Sequence, residues 1–335
     1  MSASKKPESF VQRIMLSIDT HTSVKLLIGM WGPRLEFVVR LMLVATFFDD
    51  SFRVATHFPA HVKAISEGGY LNWLAETSPG LVSFIVTILL GMGILAQCLS
   101  SMCLLALPTP VVSTTVLIGW AILQPVLYAQ LSNMEMVANS LSLIGGLIML
   151  RAHFISKQGE DAARMSLLGR LLLPVVYLYH AGVFLSSAYA FDETNSIAMY
   201  ISKFSMFIVN IAVLVGLLIG SMFVAAGLKS RAISLLLALL NLGYISYQHP
   251  FFLYSWLEHW EWKYSQNIPL SSVALPTGVN WGDLDPYELY DLHRYYFFLG
   301  LSASGALLLL TQFGPGKIAV QENEPLLPVV LKNLD

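Results

Sequence analysis

Eight stretches of mainly apolar residues recur along this chain, at about 35–58, 81–106, 111–131, 136–154, 167–190, 198–227, 231–249 and 293–313. A helix of about 20 such residues spans the hydrocarbon core of a bilayer, so each stretch predicts a transmembrane helix. None shows the strict two-residue alternation of a membrane β-barrel. Backbone groups in lipid must be paired within their own segment, which leaves an all-α, polytopic helical bundle as the expected fold. Pro108 and Pro110 turn the chain between the second and third spans, and Pro125 and Pro174 inside the third and fifth predict kinks. Gly145-Gly146 and Gly216-x-x-x-Gly220 predict small-residue surfaces for close helix approach.

Residues 1–34 form a separate, polar to amphipathic segment. Phe10, Val11, Ile14, Met15 and Ile18 recur at helical spacing beside Lys5, Lys6 and Arg13. Two readings stand: a helix lying on the membrane surface, or one packed against the bundle. Gly32-Pro33 is expected to break the chain before the first span. The first ten residues lack the apolar core and cleavage site of a signal peptide, so the first span is expected to direct insertion itself.

The chain also resembles itself. RLMLVATFFDD at Arg40–Asp50 is matched by RLLLPVVYLYH at Arg170–His180, and GGLIML at Gly145–Leu150 by GALLLL at Gly305–Leu310. Four spans per half, an even number, predict two parallel four-helix repeats over 35–154 and 167–313. His180 then falls where Asp50 stands in the first half. A carboxylate and an imidazole are expected at matching depth, able to pair or share a proton, with a packing histidine as the alternative.

Composition sharpens the class. Only 12% of residues are charged and 56% are apolar, with a mean hydropathy of +0.64; a soluble domain carries about 25% charged residues. Fourteen of the nineteen Lys and Arg residues fall on the side shared by the two termini, counting Arg40 and Arg170 as able to snorkel to it. By the positive-inside rule both termini are expected to be cytosolic. On the opposite side the loop at 250–291 holds ten aromatic and six acidic residues. It suits either the membrane interface or the lining of a site for an incoming peptide. Residues 314–335 make up a cytosolic tail.

Charge inside a span costs about 2.5–3.5 kcal/mol per residue on insertion scales and usually faces protein or water. The first span carries Arg40 near one end and Asp49, Asp50 and Arg53 near the other. Either this second cluster meets a ligand, or Asp49 and Arg53, at i,i+4 on one helix face, only neutralise each other. Other chemistry is missing. There is no phosphate loop, GxGxxG, HExxH or nucleophile elbow. Cys98 and Cys103 point to different faces of one helix, which argues against a disulfide or redox pair. His57 and His61 have metal-compatible spacing, but Pro59 interrupts the helix between them and no supporting ligand follows. No ring of charge suits an ion channel. No basic, aromatic surface suits nucleic acid. Neither an enzyme activity nor a cofactor is indicated.

The ordered set of RLMLVATFFDDSFR, GGYL at Gly68–Leu71, GRLLL at Gly169–Leu173 and DLHRYYFFLGLSASGALLLLTQFGPGKIAVQE at Asp291–Glu322 resembles the Surfeit locus protein four family of endoplasmic-reticulum cargo receptors. The resemblance implies a receptor that binds soluble secretory proteins by their N-terminal peptides on the lumenal side. It would load them into COPII vesicles for transport from the endoplasmic reticulum to the Golgi. Cargo, vesicle coat proteins and membrane lipids are the implied partners, and the membranes of the endoplasmic reticulum and early Golgi the implied location. Homo-oligomerisation is left open. Asp49, Asp50 and Arg53, with Tyr70 of GGYL and His180 of the repeat, are the candidate cargo-binding residues. A carboxylate there would take a peptide's free amine. The chain departs from the family in ending QENEPLLPVVLKNLD rather than in a lysine-rich retrieval signal. Glu322, Leu326 and Leu327 fit an acidic dileucine sorting pattern instead. Four-span halves also resemble DoxX-like membrane proteins linked to quinone redox chemistry. A secondary transporter or lipid scramblase acting through Asp50 and His180 is a third reading.

Overall fold

A computed structural model describes residues 22–68, 70, 76–107, 110–189, 197–258, 261–265, 268 and 285–320. The surface segment expected before residue 22, most of the aromatic loop, and the Glu322, Leu326 and Leu327 signal lie outside the described residues. Ten α-helices, one 3-10 turn (Phe251–Leu253) and one pair of strands are described. The helices are α1 (Thr22–Thr56), α2 (Phe58–Gly68), α3 (Pro79–Ala106), α4 (Val111–Leu127), α5 (Met134–Lys157), α6 (Ala163–Leu172), α7 (Val175–Tyr189), α8 (Ile197–Ala226), α9 (Ser230–Gln248) and α10 (Pro286–Phe313). Strands β1 (Ser255–Glu258) and β2 (Glu261–Tyr264) pair antiparallel, with Ser255 opposite Tyr264. The strand pair is a small β element within a chain expected to be wholly helical.

Six helical segments among the described residues are long and apolar enough to cross a membrane: Pro79–Ala106, Met134–Lys157, Ala163–Val183, Phe207–Ala226, Ser230–Leu253 and Pro286–Phe313. The other two expected spans exist as helices but differ in kind. α1 carries six charged residues between Arg34 and Arg53, and α4 has only 17 residues, ending before a left-handed Ala129. Pro174 separates α6 from α7, as its missing N–H requires. Gly32-Pro33 does not break the chain, because α1 runs straight through it. Part of the steric conflict before a proline comes from the preceding residue's Cβ, and glycine has none.

α10 is central, packing against α1, α9 and α5, while α5 packs against α6 and α7. Its start is set locally: the Asp285 carboxylate accepts from the Glu288 amide at 2.7 Å and Glu288 Oε2 from the Asp285 amide at 3.0 Å, a capping box with Pro286 in the first turn. Leu43, Phe47, Leu147, Leu150, Phe154, Leu307 and Leu310 fill the seam. Close approach is built from glycine. A Cβ on Gly145 would meet the Leu173 nitrogen at 2.7 Å, and one on Gly305 the Leu43 nitrogen at 2.8 Å. Ser142 Oγ accepts from the Val176 amide at 3.0 Å, and Ser302 Oγ from the Thr46 amide at 3.1 Å. Gly216, by contrast, has open space beside it, and Gly220 only ordinary contact with Leu237. This pair is not a close helix–helix contact.

Arg40 and Arg170 do not snorkel to solvent; they are 7% and 1% exposed. Arg40 donates to the Leu104 and Leu107 carbonyls at the end of α3, at 3.3 and 3.1 Å. Arg170 donates to Ala225 O at the end of α8, at 3.0 Å, and to the Pro315 and Ile318 carbonyls, both at 2.5 Å. The last carbonyls of a helix lack intrahelical partners, so a buried guanidinium is better satisfied there than at the lipid surface.

Candidate functional site

Where α1 ends, α10 begins, and their charges interlock. Arg294 Nη2 lies 2.5 Å from Asp49 Oδ1, with Nε of the same guanidinium donating to that oxygen at 2.6 Å. Arg53 Nη2 donates to Asp50 Oδ1 at 2.8 Å, and Gln124 Nε2 of α4 donates to the same atom at 3.0 Å. The other Arg53 nitrogen, Nη1, lies 3.6 Å from Asp291 Oδ2. The expected Asp49–Arg53 pair is therefore corrected: Asp49 turns to Arg294 of the last span and Arg53 to Asp50. Three carboxylates face two guanidinium groups. Asp49 Oδ2, Asp50 Oδ2 and Asp291 Oδ1 are buried with no hydrogen-bond partner among the described residues.

A cavity of about 240 Å³ opens beside this network, between α1, the α4–α5 turn and α10. Arg53, Glu288 and Asp291 supply its charge, Gln124, Gln130 and Asn133 its amides, and Tyr128, Tyr287, Tyr295 and Tyr296 its phenol rings. Asp49 and Asp50, 5% and 2% exposed, stand behind the wall rather than in it. Gln130 Oε1 is another buried acceptor without a partner among the described residues. The Arg53 guanidinium lies over the Tyr295 ring, 5.1 Å from its centroid. Such a cavity suits a ligand with several N–H donors and a positive charge.

The candidate residues separate. Arg53 lines the cavity, and Asp49 and Asp50 hold the charges that shape it. Tyr70 is exposed and lies outside the lining. His180 does not pair with Asp50; its ring packs against Tyr179 and Tyr244. The imidazole and the carboxylate sit in different parts of the bundle because α1 packs on α10 while α7 packs on α5 and α8. Sequence reasoning missed Gln124 and Tyr128 and gave no role to Arg294, while Asp291 entered only as one of the acids of the 250–291 loop. The last two were marked by an acid and a base three residues apart at the head of the last span. Gln124 and Tyr128 carried no signal beyond polarity in an apolar run.

A family model described as the SURF4 family matches residues 23–257. The chain is 24% identical over 332 residues to "ER-derived vesicles protein ERV29" of Saccharomyces cerevisiae (strain ATCC 204508 / S288c), covering 95% of this chain and 84% of that protein. It is 24% identical over 305 residues to "Surfeit locus protein 4 homolog" of Schizosaccharomyces pombe (strain 972 / ATCC 24843), covering 87% and 82% respectively. No solved structure matches the chain.

Proposed function

The chain belongs to the SURF4 family, and from that premise we propose that it is a cargo receptor of the endoplasmic-reticulum membrane. In this reading it binds soluble secretory proteins from the lumenal side and packages them into COPII vesicles for the Golgi. The observation that carries the reading is the charge network beside the cavity: three carboxylates face two guanidinium groups, and Asp291, which lines the cavity, keeps one oxygen without a donor. An N-terminal α-ammonium brings one positive charge and three N–H donors, which suits Asp291 Oδ1 and Gln130 Oε1. The tyrosines would hold the side chains that follow. The printed name of the yeast relative, a protein of ER-derived vesicles, supports transport in the early secretory pathway.

The same reading takes the chain as eight crossings in two parallel halves, with both termini in the cytosol. Matched contacts support it: Gly145 on Leu173 and Gly305 on Leu43, Ser142 with Val176 and Ser302 with Thr46, and Arg40 and Arg170 each on a helix end. The charge bias of the loops supports the orientation. The test is binding of a secretory protein with a free amino terminus against its Nα-acetylated form, using the full chain in nanodiscs. The free form is expected to bind and the acetylated form to fail. Equal binding of both would overturn the ammonium reading.

A further inference from the structure

Two histidines outside the spanning helices hold two of the cavity's tyrosines. In the turn between α1 and α2, His57 Nδ1 lies 3.0 Å from the Tyr287 hydroxyl, and the rings approach to 4.7 Å. One turn on, His61 Nδ1 lies 3.0 Å from the Tyr128 hydroxyl, with that ring edge-on at 5.8 Å. Tyr287 and Tyr128 both line the cavity. Neither histidine belongs to a metal-binding group among the described residues; their work is on the phenols.

We propose that His57 is a proton-operated latch on this mouth, and that its protonation releases a cationic ligand. The inference rests on the ammonium reading above. With His57 neutral, the mouth keeps its excess of carboxylate charge, and the imidazole can accept the Tyr287 proton on Nδ1. An imidazolium has protons on both ring nitrogens and can only donate, so the phenol must turn its own proton elsewhere. Asp291 stands one turn along α10 from Tyr287, so the new charge also competes with the ligand for that carboxylate.

The surroundings of His57 can be named from each element. α10 presents Tyr287 and Asp291, α1 presents Thr56 and Arg53, and α2 presents His61. Tyr264 of β2 packs behind Tyr287. Histidine changes charge between pH 5 and 8. Burial, with Arg53 nearby, pushes His61 down to about 4, so His61 stays neutral through most of that window. His57 is exposed and open to protons. An acidic compartment would thus empty a site that a neutral one had filled.

The test uses the full chain in nanodiscs and an alanine-rich octapeptide with a free amino terminus, at pH 7.2 and 6.0. An added charge about 8 Å from the ammonium, at an effective dielectric of about 30, predicts about tenfold weaker binding once His57 is protonated. His57→Gln is expected to bind normally at pH 7.2 and to lose the pH step. His57→Lys is expected to bind weakly at both values. Retention of the full step by His57→Gln would overturn the latch while leaving the ammonium reading intact. Failure of the native chain to bind the peptide at either pH would remove both.

Discussion

The division of labour between Asp291 and Asp50 can be tested by neutralising each in turn. Asp50 is 2% exposed and accepts from both Arg53 and Gln124. Removing one partner of a buried ion pair costs about 3–5 kcal/mol. Asn keeps one acceptor, so Asp50→Asn should cost stability near the lower end, about 3 kcal/mol. Asp291 meets Arg53 only at 3.6 Å, with its side chain 17% exposed, so Asp291→Asn should cost about 1 kcal/mol or less. Binding should rank the other way. Asp291 lines the cavity and has a free oxygen. Losing a buried, hydrogen-bonded charge partner weakens binding by about 2–5 kcal/mol, roughly 30-fold or more. Thermal unfolding in detergent and titration with a free-amine peptide read the two effects separately. The reasoning is refuted if Asp50→Asn keeps native stability and loses binding while Asp291→Asn binds normally.

Two other outcomes follow from the packing and the pKa of His61. Gly305→Val should prevent assembly of the α1–α10 seam, since even a Cβ there meets backbone at 2.8 Å; overpacking costs about 1–3 kcal/mol when neighbours can yield, and backbone cannot. Loss of a monodisperse peak in size-exclusion chromatography checks it, and wild-type behaviour would contradict it. His61 is pushed from the ordinary histidine value down to about 4, mainly by burial. The unfolded chain therefore takes up its proton first as pH falls below about 6.5. Stability should be full above that pH and fall as pH drops toward about 4, and His61→Gln should flatten this part of the profile. An unchanged slope in melting temperature between pH 7 and 4.5 would count against it.

Membrane helices, their approximate limits and the position of the charges were legible because each is a local property. A run of apolar residues must pair its own backbone in lipid wherever the rest of the chain goes. Gly145-Gly146 was legible as a contact surface, since it now meets Leu173 and Ala306. Gly216-x-x-x-Gly220 had the same local form but no partner helix pressed against it. Gly32-Pro33 misled for a related reason: punctuation rules describe average chains, and a glycine before proline relieves part of the clash.

From its sequence alone this protein was bound to be a helical membrane bundle with carboxylates and an arginine gathered at one end of the first span. Which carboxylate answers which cation was decided only when α10 packed against α1. That packing brought Arg294 to Asp49 across 245 residues of chain and Asp291 to the cavity wall. The physical reason is range: helix formation is settled within a few turns, whereas the pairing of buried charges depends on which surfaces meet. Local spacing placed Arg53 within reach of both acids on its own helix, and only the fold chose Asp50.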